Sequence, residues 1–301
     1  MYTRRHFLQT VVGALALPVL GRSAQPTTPS LGFSLYGMKT LALDAALQTC
    51  AEIGYSHVEL TLNAGYPTEP KLFNGEARKA TASRLEALKL GLPCLMTGIS
   101  LTATDTAHAA ALAHIAEAGQ MAYDLVPASP PLLETVLGGK PDSWEAQKAG
   151  MLERLHGWAA AADKARIQIA LKAHVSSAVN SPERLLWLMD QVKSPAIVAA
   201  YDYSHFEVQG LDMEESMAAL LPRTRFIHVK DSEGAVGKFQ FLLPGKGRTD
   251  YRKYFALLRK FGYTGPVCVE VSGHVFNKPG YDPVAAAKTS FAALSEALAK
   301  G

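Results

Sequence analysis

Acidic, imidazole and ammonium side chains recur in this chain at the ends of short apolar runs. Glu59 follows Val58, Lys172 and His174 close one run, and Asp202 and His205 close the next. His228, Lys230 and Asp231 end another, and Glu270 and Ser272 the last. Carboxylates and imidazoles are common ligands of divalent metals, and with lysine they are common general acids and bases. Taken singly, a buried polar residue usually has a local hydrogen-bond partner and no further task. Charged groups ending four consecutive runs must instead converge on one solvent-accessible cup, because separate burial would strip each of its hydration.

The elements that would carry these groups repeat with one plan. From Leu31 onward a short β-branched or apolar run leads through a polar loop into an Ala- and Leu-rich amphipathic helix. Strands are predicted over Leu31 to Tyr36, His57 to Leu62, Cys94 to Ile99 and Leu132 to Leu137. Four more follow over Ile167 to Ala173, Ile197 to Tyr201, Arg225 to Val229 and Val267 to Val271. The intervening helices run from Leu43 to Ile53, stopped by Gly54, and from Glu76 to Leu90, ended by Gly91. A third starts at Asp105, read as its N-cap, and reaches Met121; a fourth covers Trp144 to Arg166. Ser181-Pro182-Glu183 opens the fifth with a cap and a first-turn proline. The last three span Met213 to Leu221, Tyr251 to Phe261 and Pro283 to Ala299. Eight such units predict an α/β fold, a (β/α)8 TIM barrel, with its chemistry at the C-terminal ends of the strands. A dinucleotide-binding sheet would need a glycine-rich first turn, and Leu31 to Gly37 has no G-x-G-x-x-G spacing.

Composition agrees with one large core. Of 301 residues, 48% are hydrophobic and 19% charged, which excludes a disordered chain. A net charge of +3 with no run of Lys and Arg argues against nucleic-acid binding. Cys50, Cys94 and Cys268 lie inside predicted elements and read as buried free thiols. Thr3-Arg4-Arg5-His6-Phe7-Leu8-Gln9, the apolar run Val11 to Leu20, then Ser23 and Ala24 resemble a twin-arginine export signal over residues 1–24. The apolar run is too short to span a bilayer, so no stable membrane anchor is expected after processing. Residues 25–30 form a tether, 31–301 a single domain, and the expected location is periplasmic or secreted.

Longer motifs narrow the class. Tyr201-Asp202-Tyr203-Ser204-His205, Phe226-Ile227-His228-Val229-Lys230-Asp231, Pro244-Gly245-Lys246-Gly247 and Val267-Cys268-Val269-Glu270 resemble the xylose isomerase-like barrel superfamily. That group includes sugar isomerases and epimerases, inosose dehydratases and endonuclease IV. The resemblance implies a divalent metal (Mn, Mg, Co or Zn) on Asp202, His228 and Glu270, with His174 and His205 on substrate hydroxyls. Glu59 and Lys230 are further substrate-binding candidates, and Glu59 could also lie against the metal shell.

One position departs from the family. Leu171-Lys172-Ala173-His174 carries lysine where the epimerases have a metal-binding glutamate. An ammonium cannot ligate a metal. Three arrangements are open: a three-ligand metal with Lys172 doing chemistry; Lys172 replacing the metal and pairing with Asp202 and Glu270; or Glu59 restoring a fourth ligand with Lys172 turned away. The expected function is an exported isomerase- or epimerase-like enzyme for a sugar, keto-sugar or polyol. Metal-assisted proton abstraction next to a carbonyl would start the reaction, with Glu270 and Lys172 as catalytic residues. The alternatives are a lyase or hydrolase of oxidised glycosides using the same two residues, and a non-catalytic, metal-free sugar-binding barrel. A homodimer is compatible with the fold.

Overall fold

The computed structural model describes residues 28–301, so the export-signal segment and residues 25–27 of the tether lie outside the described residues. Eight strands close into one parallel barrel, the architecture expected. They are β1 (Ser30–Ser34), β2 (His57–Thr61), β3 (Gly91–Met96), β4 (Leu132–Val136), β5 (Ile169–Lys172), β6 (Ile197–Tyr201), β7 (Thr224–Val229) and β10 (Pro266–Val269). The last strand pairs with both β7 and β1, which completes the ring. Between them run α1 (Leu43–Ile53), α2 (Gly75–Leu88), α3 (Asp105–Leu125), α4 (Trp144–Ala165) and α5 (Pro182–Val192). The second half adds α6 (Ser204–Glu207), α7 (Met213–Leu220), α8 (Tyr251–Lys260), α9 (Gly273–Phe276) and α10 (Pro283–Lys300). Among the described residues no helix is long and apolar enough to cross a membrane.

Period-two alternation divides each strand between two cores. Phe33, Val58, Leu95, Leu133, Ile169, Ile197, Ile227 and Val267 belong to the large cluster between barrel and helices. The alternate positions face the barrel axis, and many there are small: Cys94 and Cys268 pack on Phe226, while Ala170, Val198 and Ala200 form a second cluster. All three cysteines are free and buried. Small residues low in the barrel leave volume for the longer polar side chains one layer above.

Several boundaries differ from expectation, each for a local reason. Helix α2 ends at Leu88 with Lys89 in the left-handed region (φ 55°), and the Lys89 N–H caps Leu85 and Glu86 carbonyls. Gly91 therefore opens β3, which starts three residues before its predicted position. Thr104, not Asp105, accepts the Ala107 N–H as the α3 cap. The segment after β7 contains a hairpin of β8 (Asp231–Ala235) and β9 (Lys238–Leu242).

Candidate active site

Strand ends and the alternation together assemble one polar cluster inside the C-terminal mouth. Lys172 is the last residue of β5, in register with Val136 of β4 and Ala200 of β6. Its Nζ lies 2.8 Å from His228 Nδ1, 3.1 Å from Glu270 Oε1 and 3.2 Å from Glu134 Oε1. Lys172 therefore points into the cup and is not turned away. Lys230, just past β7, donates to both Asp202 Oδ2 and Glu270 Oε2. The far nitrogen of His228, Nε2, lies 2.9 Å from Glu59 Oε2.

Asp202 is held by the turn that follows β6. Its Oδ1 accepts from the Ser204 N–H at 3.2 Å and from Ser204 Oγ at 2.6 Å. The same turn forms α6 and brings His205 Nε2 to 3.4 Å from Asp202 Oδ2. His174 and His205 meet with ring centroids 4.0 Å apart, so the two expected substrate-facing imidazoles lie side by side. The hairpin adds Phe241, whose ring packs against His205 at 4.9 Å and stacks on His274 at 5.5 Å.

Burial and charge act against each other throughout the cluster. Burial works against the Lys172 charge, but Glu134 and Glu270 outweigh it and push its pKa up. Burial would raise Glu270, yet Lys172 and Lys230 hold its carboxyl well below the usual range. Asp202 behaves alike, with Lys230 and His205 overcoming burial. Glu134, where burial prevails over Lys172, is shifted upward. Burial and the Lys230 charge lower His205 to about 4, so it is neutral near pH 7. Burial opposes a second proton on His228 and Glu59 favours it, with a net upward shift. A proton on Nδ1 would nevertheless face the Lys172 ammonium at 2.8 Å. That contact holds one proton, which belongs on Lys172, leaving Nδ1 to accept and Nε2–H to donate to Glu59.

Of the four clustered carboxylates, Glu59, Glu134 and Asp202 are sealed, whereas the Glu270 side chain is 12% exposed. Glu270 is thus the carboxylate that a substrate in the cup can reach. Beside it stands Tyr36, whose phenol is raised by burial and by the Glu270 charge. A groove of about 510 Å³ lined by Tyr36, Lys39, Asn63, Tyr66, Phe276 and Tyr281 opens from this side. Glu134, Phe241, His274 and Tyr36 escape a reading of strand-end motifs. Only Glu134 has a sequence signal, since it shares the inward face of β4 with Leu132.

Oxygen or nitrogen atoms of Asp202, His228 and Glu270 lie within 4.8 Å of one another, a spacing compatible with a divalent metal. The surrounding charges are not. An ion on those donors, at about 2.0–2.2 Å from each, would share every one of them with Lys172 or Lys230. A dication and an ammonium about 4 Å apart repel by roughly 8 kcal/mol even at an effective dielectric near 20. As arranged, the mouth does not fit a metal ion.

Residues 47–297 match the family model described as xylose isomerase-like TIM barrel. Among curated sequences no relative matches the chain. A crystal structure of the IolI protein with a bound zinc atom superposes with a TM-score of 0.76 at 17% identity, covering 90% of this chain and 98% of that one. The probable 3-DHS dehydratase AsbF from Bacillus anthracis gives 0.73 at 14% identity over 88% and 98% of the two chains. A D-allulose 3-epimerase from Methylomonas sp. in complex with D-allulose gives 0.68 at 20% identity over 91% and 98%.

Proposed function

The chain belongs to the xylose isomerase-like TIM barrel family, and from that premise we propose that it is an exported enzyme acting on a sugar, keto-sugar or related polyol. The reaction begins by removing a proton from a carbon next to a carbonyl. The observation that carries this reading is Glu270, the reachable carboxylate, held between the ammonium groups of Lys172 and Lys230. Glu270 takes the proton as the C–H bond breaks. The electron pair becomes the new C=C bond, and negative charge develops on the former carbonyl oxygen. Lys172 and Lys230 face that oxygen with N–H donors already in position, the preorganised stabilisation that lowers such barriers. The Glu270 carboxyl is a weak base while both ammonium groups bind it. It gains basicity as they turn toward the oxygen, which couples substrate binding to proton removal.

The substrate class is supported by the sugar epimerases among the structural relatives. His174, His205 and Lys230 orient hydroxyls, while Glu59 acts through His228, without touching substrate. Isomerisation returns the proton to the neighbouring carbon. Elimination instead re-forms the carbonyl and shifts the C=C to the bond on the far side of the deprotonated carbon, expelling a leaving group from the carbon β to the carbonyl. A specific observation favours it: strand β5 presents Lys172 where two-face epimerisation needs a second carboxylate. A lyase or hydrolase of keto-glycosides, with Glu270 as base and Lys172 as acid, is therefore the second reading.

Incubation with ketohexoses and 3-keto-glycosides in D2O tests both. Deuterium is expected at the carbon next to the carbonyl, or an eliminated aglycone appears, and Glu270→Gln lowers either rate at least a hundredfold. Binding without exchange or elimination on any substrate would leave only a sugar-binding barrel.

A further inference from the structure

We propose that Lys172 and Lys230 form a built-in cation that takes the place of a divalent metal in this mouth. The inference rests on the reading of the mouth as the active site. The donors that could hold an ion are present, and each is already engaged. Lys230 joins Asp202 to Glu270. Lys172 joins Glu270 Oε1, at 3.1 Å, to His228 Nδ1, at 2.8 Å. No donor of the Asp202, His228, Glu270 set faces the cup without an ammonium against it.

Neither lysine is a surface side chain that has drifted inward. Their exposures are 2% and 4%, so both ammonium groups sit inside the mouth rather than in bulk water. Lys172 has a second anchor in Glu134, 3.2 Å away on β4 and outside the donor set. Lys230 is backed by the Phe241 ring, 5.0 Å from its Nζ. Lys172 stands above Ala170 and beside Ala200, small residues that make room for a long side chain on the barrel axis. Glu134 is explained by the same arrangement: it balances a charge that a metal-binding version of the barrel would not contain.

The chemistry differs from that of a metal in a useful way. An ammonium offers up to three N–H donors and imposes no coordination geometry. Two of them flanking one carboxylate suit a ligand with adjacent carbonyl and hydroxyl oxygens, one of which becomes anionic.

Metal uptake tests this directly. The full-length protein, dialysed against a chelator, is titrated with Mn²⁺ and with Zn²⁺ by calorimetry and by thermal shift. The wild type is expected to take up no stoichiometric ion and to show no rise in Tm. Lys172→Glu supplies a fourth donor, a carboxylate, and removes one of the two ammonium groups. It is expected to bind one ion per chain, with a Tm that rises as metal is added. Should that variant fail to fold without metal, Lys172→Gln removes the charge alone and is expected to bind Mn²⁺ at least tenfold more tightly than wild type. Stoichiometric uptake by the wild type, abolished by Asp202→Asn, would overturn the proposal. So would failure of the Lys172 variants to gain uptake even when Lys230→Gln is added, since the two ammonium groups would then not be what keeps the ion out. Activity separates the two levels. A wild type that binds metal and works only with it defeats the built-in cation and leaves the sugar chemistry standing. A wild type that takes no metal and turns over no keto-sugar defeats the sugar chemistry alone.

Discussion

A carboxylate that solvent never touches acts through what it holds in place. Glu59 is fully buried, and its Oε2 lies 2.9 Å from His228 Nε2. That hydrogen bond sets which ring nitrogen carries the proton, as carboxylate partners of functional histidines do. The opposite nitrogen is then free to accept from Lys172 at 2.8 Å. Burial alone would raise the Glu59 carboxyl, but His228 overcomes it and keeps the group ionised, helped by Ser34 and Cys94. Glu59→Gln keeps an acceptor for Nε2–H and loses the charge. The expected result is a folded protein with KM little changed and kcat reduced about 10–100-fold, the usual effect of removing such a supporting partner. Glu59→Leu removes the acceptor as well and leaves a buried imidazole N–H unpaired. Its expected cost is about 1–3 kcal/mol, the penalty of an unpaired buried donor, read from urea denaturation. A Glu59→Gln enzyme with wild-type kcat would show that the carboxylate only fills space.

At the scale of elements, the β8–β9 hairpin decides whether the mouth has a wall. One aspartate ties its base: Asp231 Oδ1 accepts from the Ser232 and Thr249 N–H groups, and Oδ2 from Gly245, each at 3.0 Å. Gly247 passes so close that a Cβ there would lie 2.4 Å from Asp231 Oδ1 and 2.5 Å from the Ser232 carbonyl. Gly247→Ala is therefore expected to push the clamp apart at a cost of about 1–3 kcal/mol, as overpacking does. Phe241 and Lys230 would shift with it, so KM should rise more than kcat falls. Proteolysis within residues 231–248 should quicken, and an unchanged cleavage rate would count against the clamp. The barrel itself was readable because alternating apolar runs, caps and helix-period stretches are local signals. So were Asp202, His228 and Glu270, which interrupt such runs at their ends. The cap at Thr104 and the stop at Lys89 were not, since Asp105 is as good a cap by type and lysine rarely takes a left-handed conformation. Phe241 and His274 come from separate segments and meet only through tertiary packing, with a Phe241 N–H to His274 Nδ1 bond of 3.1 Å. Lys172 stands out in the sequence as a departure from the family, but its direction is set by Glu134 on β4, 3.2 Å away, which no strand-end pattern marks.

Over the whole molecule the barrel divides its polar interior between two ends with different duties. The C-terminal end gathers charge around the cup, while the N-terminal end, where stability is expected to dominate, buries an uncharged imidazole. His57 opens β2 opposite Gly32 of β1, and a Cβ on Gly32 would lie 2.0 Å from the His57 ring, so ring and backbone are in direct contact. His57 Nδ1 lies 3.3 Å from Ser30 Oγ and 3.5 Å from Ser56 Oγ, while Nε2 is buried without a partner. A second proton would need to sit in this buried place with only the Glu59 charge to favour it, and burial prevails, lowering the His57 pKa to about 4. The sign of the stability effect follows. The unfolded chain takes up the proton near pH 6.5, the folded chain only near pH 4, so acid favours unfolding between those values. His57 contributes its full stabilisation above pH 6.5. Roughly 3 kcal/mol of it is lost as pH falls toward 4, at about 1.36 kcal/mol per unit of pKa difference, with no further loss from this group below. Urea denaturation at pH 7.5, 6, 5 and 4 should show that decline in wild type. His57→Asn keeps an acceptor for the serine hydroxyls but cannot titrate, and its stability should fall by about 3 kcal/mol less across the same range. Parallel curves for the two proteins would mean that His57 becomes charged in the folded barrel without penalty, and that the acid sensitivity of the molecule lies at its C-terminal end.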